Sequence, residues 1–371
     1  MAWGTSEQLA LSVVEGPVVN ETRQVFAAAW ASQAVRLWAG AGLAELEYTV
    51  GPIPISFNDT KGREVVSRFA APALSTNRTF FTDSNMRDSM RRELDRRDTW
   101  NLTVEEPVAG NYYPVPGFIF ASDVSSGATI SVVPDRAQGG SSLADGSLEL
   151  MLHRRLHYDD DLGVGEVLNE TGLDQRGRGL IVRATHLLSL EASPAAAARA
   201  RRAALADQAW RPLVRVASLA ASALSPAQWA GRYRASFSAL AAELPPQLHL
   251  LTVHAWSPRQ LLLRLSHSFE AGEDAGAGGR SAPASVDLGA IFAPASNVTL
   301  SACVETTITG NQPLAAAPSW TYAVEGADGA PPQTATLPDL ALYPPPQGPG
   351  MTVTLTAMQI RTFLCDYALA A

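Results

Sequence analysis

With two cysteines in 371 residues, Cys303 and Cys365, the chain has too few for a disulfide-built scaffold or a four-cysteine zinc site. They are either a single cross-link or two buried thiols, and residue counting leaves both open. Lysine is scarcer still: of 28 basic residues all but Lys61 are arginine. Acidic residues number 36, the net charge is −8, and no basic tract is dense enough to follow a phosphate backbone, so nucleic acid is not expected as a partner. Long apolar runs are also missing. The stretch from Leu180 to Leu190 is broken by Arg183, Thr185 and His186, far short of the ~20 apolar residues of a membrane span. The first twenty residues contain neither a basic region nor a long apolar one, so no signal peptide is read there. A nucleophile elbow, a phosphate-cradling glycine loop and a dinucleotide fingerprint are all absent from the sequence.

What is present describes a globular, turn-rich chain. Apolar residues make up 46% of it, and at the usual ~100–200 residues per domain the length allows two or three domains with a sizeable core. The 25 prolines and 28 glycines favour many turns over long helices. Asparagine stands out by its context, because Asn-x-Thr occurs at Asn20, Asn58, Asn77, Asn101, Asn169 and Asn297, six of the nine asparagines. With 54 Ser plus Thr in the chain, chance would give about 1.3 such triplets. The excess points to glycosylation in the secretory pathway, and the competing reading is that threonine simply follows asparagine in β-turns.

The pattern up to about Leu190 is β. The runs 43–50, 117–124, 128–135 and 147–156 alternate apolar and polar residues and are separated by Gly, Pro, Asn or Asp, the signature of an antiparallel sheet system and of a large β-sandwich. A long hairpin loop with three glycines, residues 137–146, is expected between the last two. Ser193-Pro194 then suits an N-cap and first helical position, opening an Ala/Arg-rich helical connector. After Pro245-Pro246, runs 248–256 and 259–269 form a hairpin that opens a second β unit, and residues 351–364 are its last strand. Residues 271–283 and 331–350 read as surface loops.

Candidate chemistry is sparse. Glycoside hydrolysis needs two carboxylates about 5–10 Å apart, and Glu45/Glu47, Glu105/Glu106 and Asp159 to Asp161 are pairs by position alone. Glu45 and Glu47 share a face on a strand, as solvated strand charges commonly do. His153 and His157 would converge on a metal from a helix, but on a strand they sit ~13 Å apart. The interleaved charges of residues 86–100 mark a solvated face.

The segments GPVVNETRQVF, LEYTVGPIPI, GREVVSRF, EPVAGNYYPV, DRAQGGSSLADGSLELMLHRRL, LPPQLHLLTVHAWSP and VTLTAMQIRTF run in order from about Gly16 to Leu364. Together they resemble the C-terminal half of the lysosomal-type α-mannosidases of glycoside hydrolase family 38. The resemblance implies an all-β chain. A large, galactose-mutarotase-like antiparallel β-sandwich is expected over residues 1–192, a connector over 193–246 and a smaller C-terminal β-sandwich over 247–371. It also implies a zinc-dependent, retaining α-mannosidase acting on mannose-containing glycans in the lysosome or secretory pathway. Zinc and all catalytic residues would belong to an N-terminal catalytic half, the expected partner, so no catalytic or metal residue is assigned here. His157-Tyr158-Asp159 matches the letters of the family's His-x-Asp zinc motif but stands in the wrong region. Arg154 or Arg155 is the candidate to approach the sugar site, or else to form an inter-domain salt bridge. Met86 departs from the family's usual glycine at a turn where only glycine takes positive φ cheaply. The alternative function is a non-catalytic carbohydrate-binding or scaffolding β module.

Overall fold

Alternating side chains place one face of each strand inward, and in the computed structural model this pattern builds two β units. Described are residues 8–26, 30–55, 61–163, 165–172, 178–209, 224–233, 237–317, 321–324, 333–336 and 351–369. The chain divides into Met1–Pro212 and Leu213–Ala371, a boundary that falls inside the expected connector.

The first unit contains β1 (Gln8–Val14), β2 (Val19–Phe26), β3 (Ala31–Trp38), β4 (Ala44–Val50), β5 (Arg63–Ala70), β6 (Thr79–Ser84) and β7 (Asp88–Glu93). It continues with β8 (Tyr113–Val115), β9 (Ile119–Ser122), β10 (Thr129–Pro134), β11 (Gln138–Ser141), β12 (Ser147–Arg155) and β13 (Val182–Glu191). Nine strands form one sheet in the order β1-β2-β3-β4-β13-β10-β9-β6-β7, and four form a second in the order β5-β12-β11-β8. The core between them takes Leu46, Tyr48 and Val50 from β4, Ile130 and Val132 from β10, and Leu148, Leu150 and Leu152 from β12. Full burial of each such side chain contributes roughly 1.5–3 kcal/mol. The large antiparallel sandwich expected from the alternation is what forms.

Residues 137–146 differ from the expected hairpin loop. β10 and β12 belong to different sheets, and the segment between them contains β11, a strand of the smaller sheet. Its glycines permit this: a Cβ on Gly140 would lie 2.7 Å from Val115 Cγ2 and 3.1 Å from Leu150 Cδ2. Gly146 then turns the chain at φ +67, with the Ala71 and Leu74 carbonyl oxygens 2.6 Å from where a Cβ would stand.

Helix α1 (Pro194–Ala209) packs on β10 and β13. Its start follows the sequence reading, with Ser193 Oγ accepting from Ala196 N at 3.3 Å. Ala204 and Leu205 cover Phe118 and Val133. The buried Arg201 guanidinium stacks 3.8 Å from the Phe120 ring centroid, and Arg202 donates to the Arg87 carbonyl at 2.7 Å. Buried arginines, their guanidinium groups held by aromatic rings and backbone carbonyls, thus do the packing that a leucine stripe would do elsewhere.

The second unit contains α2 (Pro226–Arg232), β14 (Leu248–Ser257), β15 (Gln260–His267), β16 (Ala284–Asp287), β17 (Val298–Thr306), β18 (Thr321–Val324), β19 (Gln333–Thr336), β20 (Thr352–Leu355) and β21 (Ile360–Leu369). Ser225 and Gln228 form a reciprocal capping box on α2. The main sheet runs β14-β15-β21-β17, with β16 paired to β20 and β18 to β19. Leu261, Leu263, Leu265, Val353, Leu355 and Phe363 fill the core. The single last strand expected over residues 351–364 is two strands in two sheets. The alternation pauses at Thr356–Gln359, where Met358 has φ +61 and Gln359 N donates back to Thr356 O. Cys303 and Cys365, opposite each other on β17 and β21, are joined by a disulfide with S–S 2.01 Å. Within the expected loop 271–283, buried Asp274 accepts from Arg280 N at 3.0 Å; of the expected loop 331–350, residues 333–336 instead form β19, and the rest lie outside the described residues.

Candidate functional site

Pairing of β5 with β12 fixes the geometry of the most chemically loaded face in the first unit. The register sets Arg68 opposite Glu149, Val66 opposite Met151 and Glu64 opposite Arg154, with a bulge between Met151 and His153. Val65, Ser67 and Phe69 point inward, so Glu64, Val66 and Arg68 face outward with Glu149, Met151 and Arg154. Glu149 is almost fully buried, accepting from Arg68 at 2.6 Å and from the Tyr112 hydroxyl. Tyr112 reaches it because β11 carries glycine between them: a Cβ on Gly139 would meet the Tyr112 ring at 3.4 Å and Met151 Sδ at 2.9 Å. Burial, reinforced by the Glu149 carboxylate, raises the Tyr112 phenol well above its ordinary pKa. Burial likewise pushes the Glu64 carboxyl up, against the pull of Arg154 and with the push of Glu149.

The two candidate arginines separate here. Arg154 is half-exposed on the outward face, with its Nε 3.4 Å from Glu64 Oε2. Arg155 donates to the Ile53 carbonyl at 2.7 Å, on the other side of the strand. Its neighbour His153 lies with Nε2 3.0 Å from Leu180 O. A cavity of about 680 Å³ opens at the β5 edge, lined by Glu64, Arg68, Tyr112 and Glu149 together with Tyr48, Phe69 and Leu152.

Beneath it a polar chain crosses the core. Gln138 Oε1 lies 2.7 Å from His186 Nε2, and His186 Nδ1 lies 3.1 Å from Ser67 Oγ. Tyr48 packs edge-on to the imidazole at 5.0 Å between centroids. Burial lowers the His186 pKa from 6.5 to about 4.

Several of the other sequence candidates have structural partners. Glu45 and Glu47 do share a face, where Arg36 bridges them at 2.8 and 3.3 Å and Arg183 holds Glu47 at 2.5 Å. In the charged run 86–100, Arg91 pairs with Glu93 at 2.9 Å. Asn20, Asn77, Asn101, Asn169 and Asn297 are all exposed, and Asn58 lies outside the described residues. Zinc, which the family resemblance implies, finds no fitting ligand set: among the described residues no group of three His, Cys, Asp or Glu is placed to hold a metal. Sequence reasoning missed Glu64, Arg68, Tyr112 and Glu149. The signal for Glu149 was a carboxylate inside the apolar run Ser147–Leu152.

An all-β sandwich with a buried, arginine-paired carboxylate face defines a class more than an activity, and the comparisons supply the family. Residues 3–161 match the model of the glycosyl hydrolases family 38 C-terminal domain. The lysosomal alpha-mannosidase of Mus musculus is 43% identical over 357 residues, covering 96% of this chain and 32% of that protein. An alpha-mannosidase of Arabidopsis thaliana is 35% identical over 98% of the chain and 34% of its own length. Among solved structures, an alpha-mannosidase from Enterococcus faecalis V583 superposes with TM-score 0.55 at 13% identity, over 96% of this chain and 35% of that one, a likeness of fold. The chain belongs to glycosyl hydrolase family 38, through its C-terminal part, and spans about a third of the length of the relatives it matches.

Proposed function

We propose that this chain is the C-terminal portion of a zinc-dependent, retaining α-mannosidase that hydrolyses α-mannosidic bonds in mannose-containing glycans, and that it is inactive by itself. Nucleophile, acid and zinc ligands belong in this reading to an N-terminal catalytic half, and the chain's own part is to bind and position. The observation that carries it is the outward β5–β12 face within the matched residues. There Arg154 keeps a half-exposed guanidinium beside Glu64, a donor fork suited to a sugar's vicinal hydroxyls or to a carboxylate of the catalytic half. Arg155, anchored on Ile53 O, serves the fold in this reading. The five exposed sequon asparagines support a glycoprotein of the lysosome or secretory pathway.

The test is direct. Purified alone, the chain should contain no stoichiometric zinc and release no phenol from an aryl α-mannoside. Combined with the N-terminal two thirds of a mammalian relative it should restore hydrolysis, and Arg154→Ala should reduce that activity more than Arg155→Lys does. Hydrolysis by the chain alone overturns the division of labour, and failure to support the N-terminal part favours a non-catalytic carbohydrate-binding module.

A further inference from the structure

The outer face of the second unit's main sheet is partly exposed, with His254, Trp256 and Val304 open to solvent and Leu262 buried among them. Leu261, Leu263 and Leu265 of β15 and Phe363 and Cys365 of β21 turn into the core, so the alternate residues face away from it. Register places His254, Leu262, Leu364 and Val304 in one row across β14-β15-β21-β17, and Gln260 beside Asp366 in the next. Trp256, at a bulge before the β14–β15 turn, is 46% exposed.

The loop after β17 holds this surface in shape. Arg264 Nε donates to the Ile308 carbonyl at 2.9 Å, tying the loop onto the sheet. Gly310 then lies against Leu262 and the indole: a Cβ there would stand 2.8 Å from Leu262 Cδ1, which would have to shift, and 3.7 Å from Trp256 Cη2, an ordinary contact. At the loop tip Thr307 and Thr309 hydroxyls both donate to Asn311 Oδ1, at 2.6 and 2.9 Å. On the sheet, Gln260 Nε2 donates to Asp366 Oδ1 at 3.1 Å, and Asp366 is exposed.

We propose that this surface is a binding site for a neutral hexose unit of a glycan, with Trp256 as the stacking platform and Gln260 and Asp366 as the hydroxyl-reading pair. A pyranose has one apolar C–H face and a rim of hydroxyls. A half-exposed indole fits the face, and a carboxylate braced by a carboxamide accepts from vicinal hydroxyls on the rim. The local charge decides the ligand class. Arg264 is spent on the loop carbonyl, and the carboxylate of Asp366 repels anions while accepting from neutral hydroxyl donors. Choice of a glycan ligand rests on the mannosidase reading above, but the site needs neither zinc nor an N-terminal half to bind.

The experiment is saturation-transfer NMR with the full 371-residue chain, titrated with methyl α-mannopyranoside and an α-linked mannotriose. Saturable binding in the millimolar range is expected, and Trp256→Ala should weaken it about tenfold or more, as loss of a central aromatic anchor does. Asp366→Asn, which keeps the shape, should weaken it severalfold; Trp38→Ala, which removes another exposed indole, should leave it unchanged. A thermal unfolding trace for each variant separates lost binding from lost fold. No saturation by the wild-type chain up to about 50 mM sugar, or equal loss from Trp256→Ala and Trp38→Ala, overturns the site. Neither result bears on whether the chain restores hydrolysis to a catalytic half, so the two readings fail independently.

Discussion

His186 makes the first unit sensitive to mild acid in a way that can be separated from every other group. The imidazole is fully buried between Gln138 and Ser67, and burial lowers its pKa from 6.5 to about 4, with Asp135 pulling weakly the other way. Between those values the unfolded chain binds a proton that the folded chain refuses. Stability is therefore unaffected above about pH 7, is lost progressively as pH falls from about 6.5 to about 4, and is fully lost to this extent below that. A shift of this size corresponds to about 3 kcal/mol at the acid limit and between about 2 and 3 kcal/mol at pH 4.5. His186→Gln should abolish this dependence while retaining a donor and an acceptor for the same two partners. Urea unfolding of the two proteins at pH 7 and pH 4.5, followed through hydrogen exchange of β13 amides, should show the wild type losing about 2–3 kcal/mol more than the variant. Side-chain NMR of the folded chain should show a neutral imidazole at pH 5. A folded-state titration near pH 6.5, or equal acid loss in both proteins, would refute the reasoning.

Other consequences follow from single positions. Gly146→Ala should cost more than about 2 kcal/mol, since the new methyl meets the Ala71 and Leu74 carbonyls at 2.6 Å in a left-handed turn; a change under 1 kcal/mol in denaturant unfolding would count against it. Met86 has φ +62 in the β6–β7 turn, so Met86→Gly, trading about 1–2 kcal/mol of strain against glycine's chain entropy, should leave stability equal or up to about 1 kcal/mol higher. Replacing both Cys303 and Cys365 by alanine opens a link spanning 62 residues and should lower the second unit's unfolding transition by roughly 3–4 kcal/mol, with the first unit's transition unmoved in calorimetry. The chain alone should self-associate through edge strand β1, with its exposed Leu11 and Val13, and through exposed Leu37 and Trp38 of β3, and a monodisperse monomer in size-exclusion chromatography would count against that.

The strands were the most legible part of the sequence, and the limits of that legibility have identifiable causes. Alternation marks residues 43–50, 128–135 and 147–156 as strands, and β4, β10 and β12 form within them, although β10 is buried on both faces. It carries no information on which sheet a strand joins, so β10 and β12 looked like hairpin partners when they lie across the core from each other. Glycine misled in the same place. Gly139 and Gly140 suggest a loop by propensity, yet they are strand residues whose missing side chains make room for Met151, Tyr112 and Val115. At the C-terminal end the alternation holds only over the first half of residues 351–364, and the turn at which it breaks is marked by the positive φ of Met358.

The candidate site was legible as composition but not as geometry, and the difference lies in strand pairing. Glu45 and Glu47 could be placed on one face from their spacing, whereas their partners Arg36 and Arg183 arrive from β3 and β13, strands on either side of β4. Arg154 and Arg155 are equivalent in sequence, since adjacent residues on a strand differ only in the side they take, and the side is set by the bulge after Met151. That bulge keeps Arg154 in line with Glu149 and Met151 on the outer face and sends Arg155 to Ile53. A regular strand would have reversed the two, turning Arg155 outward opposite β5 and burying the guanidinium now paired with Glu64. The identity of the outward arginine is thus a consequence of one extra residue in β12, and it is at this bulge that sequence changes would redirect the face without altering any charged side chain.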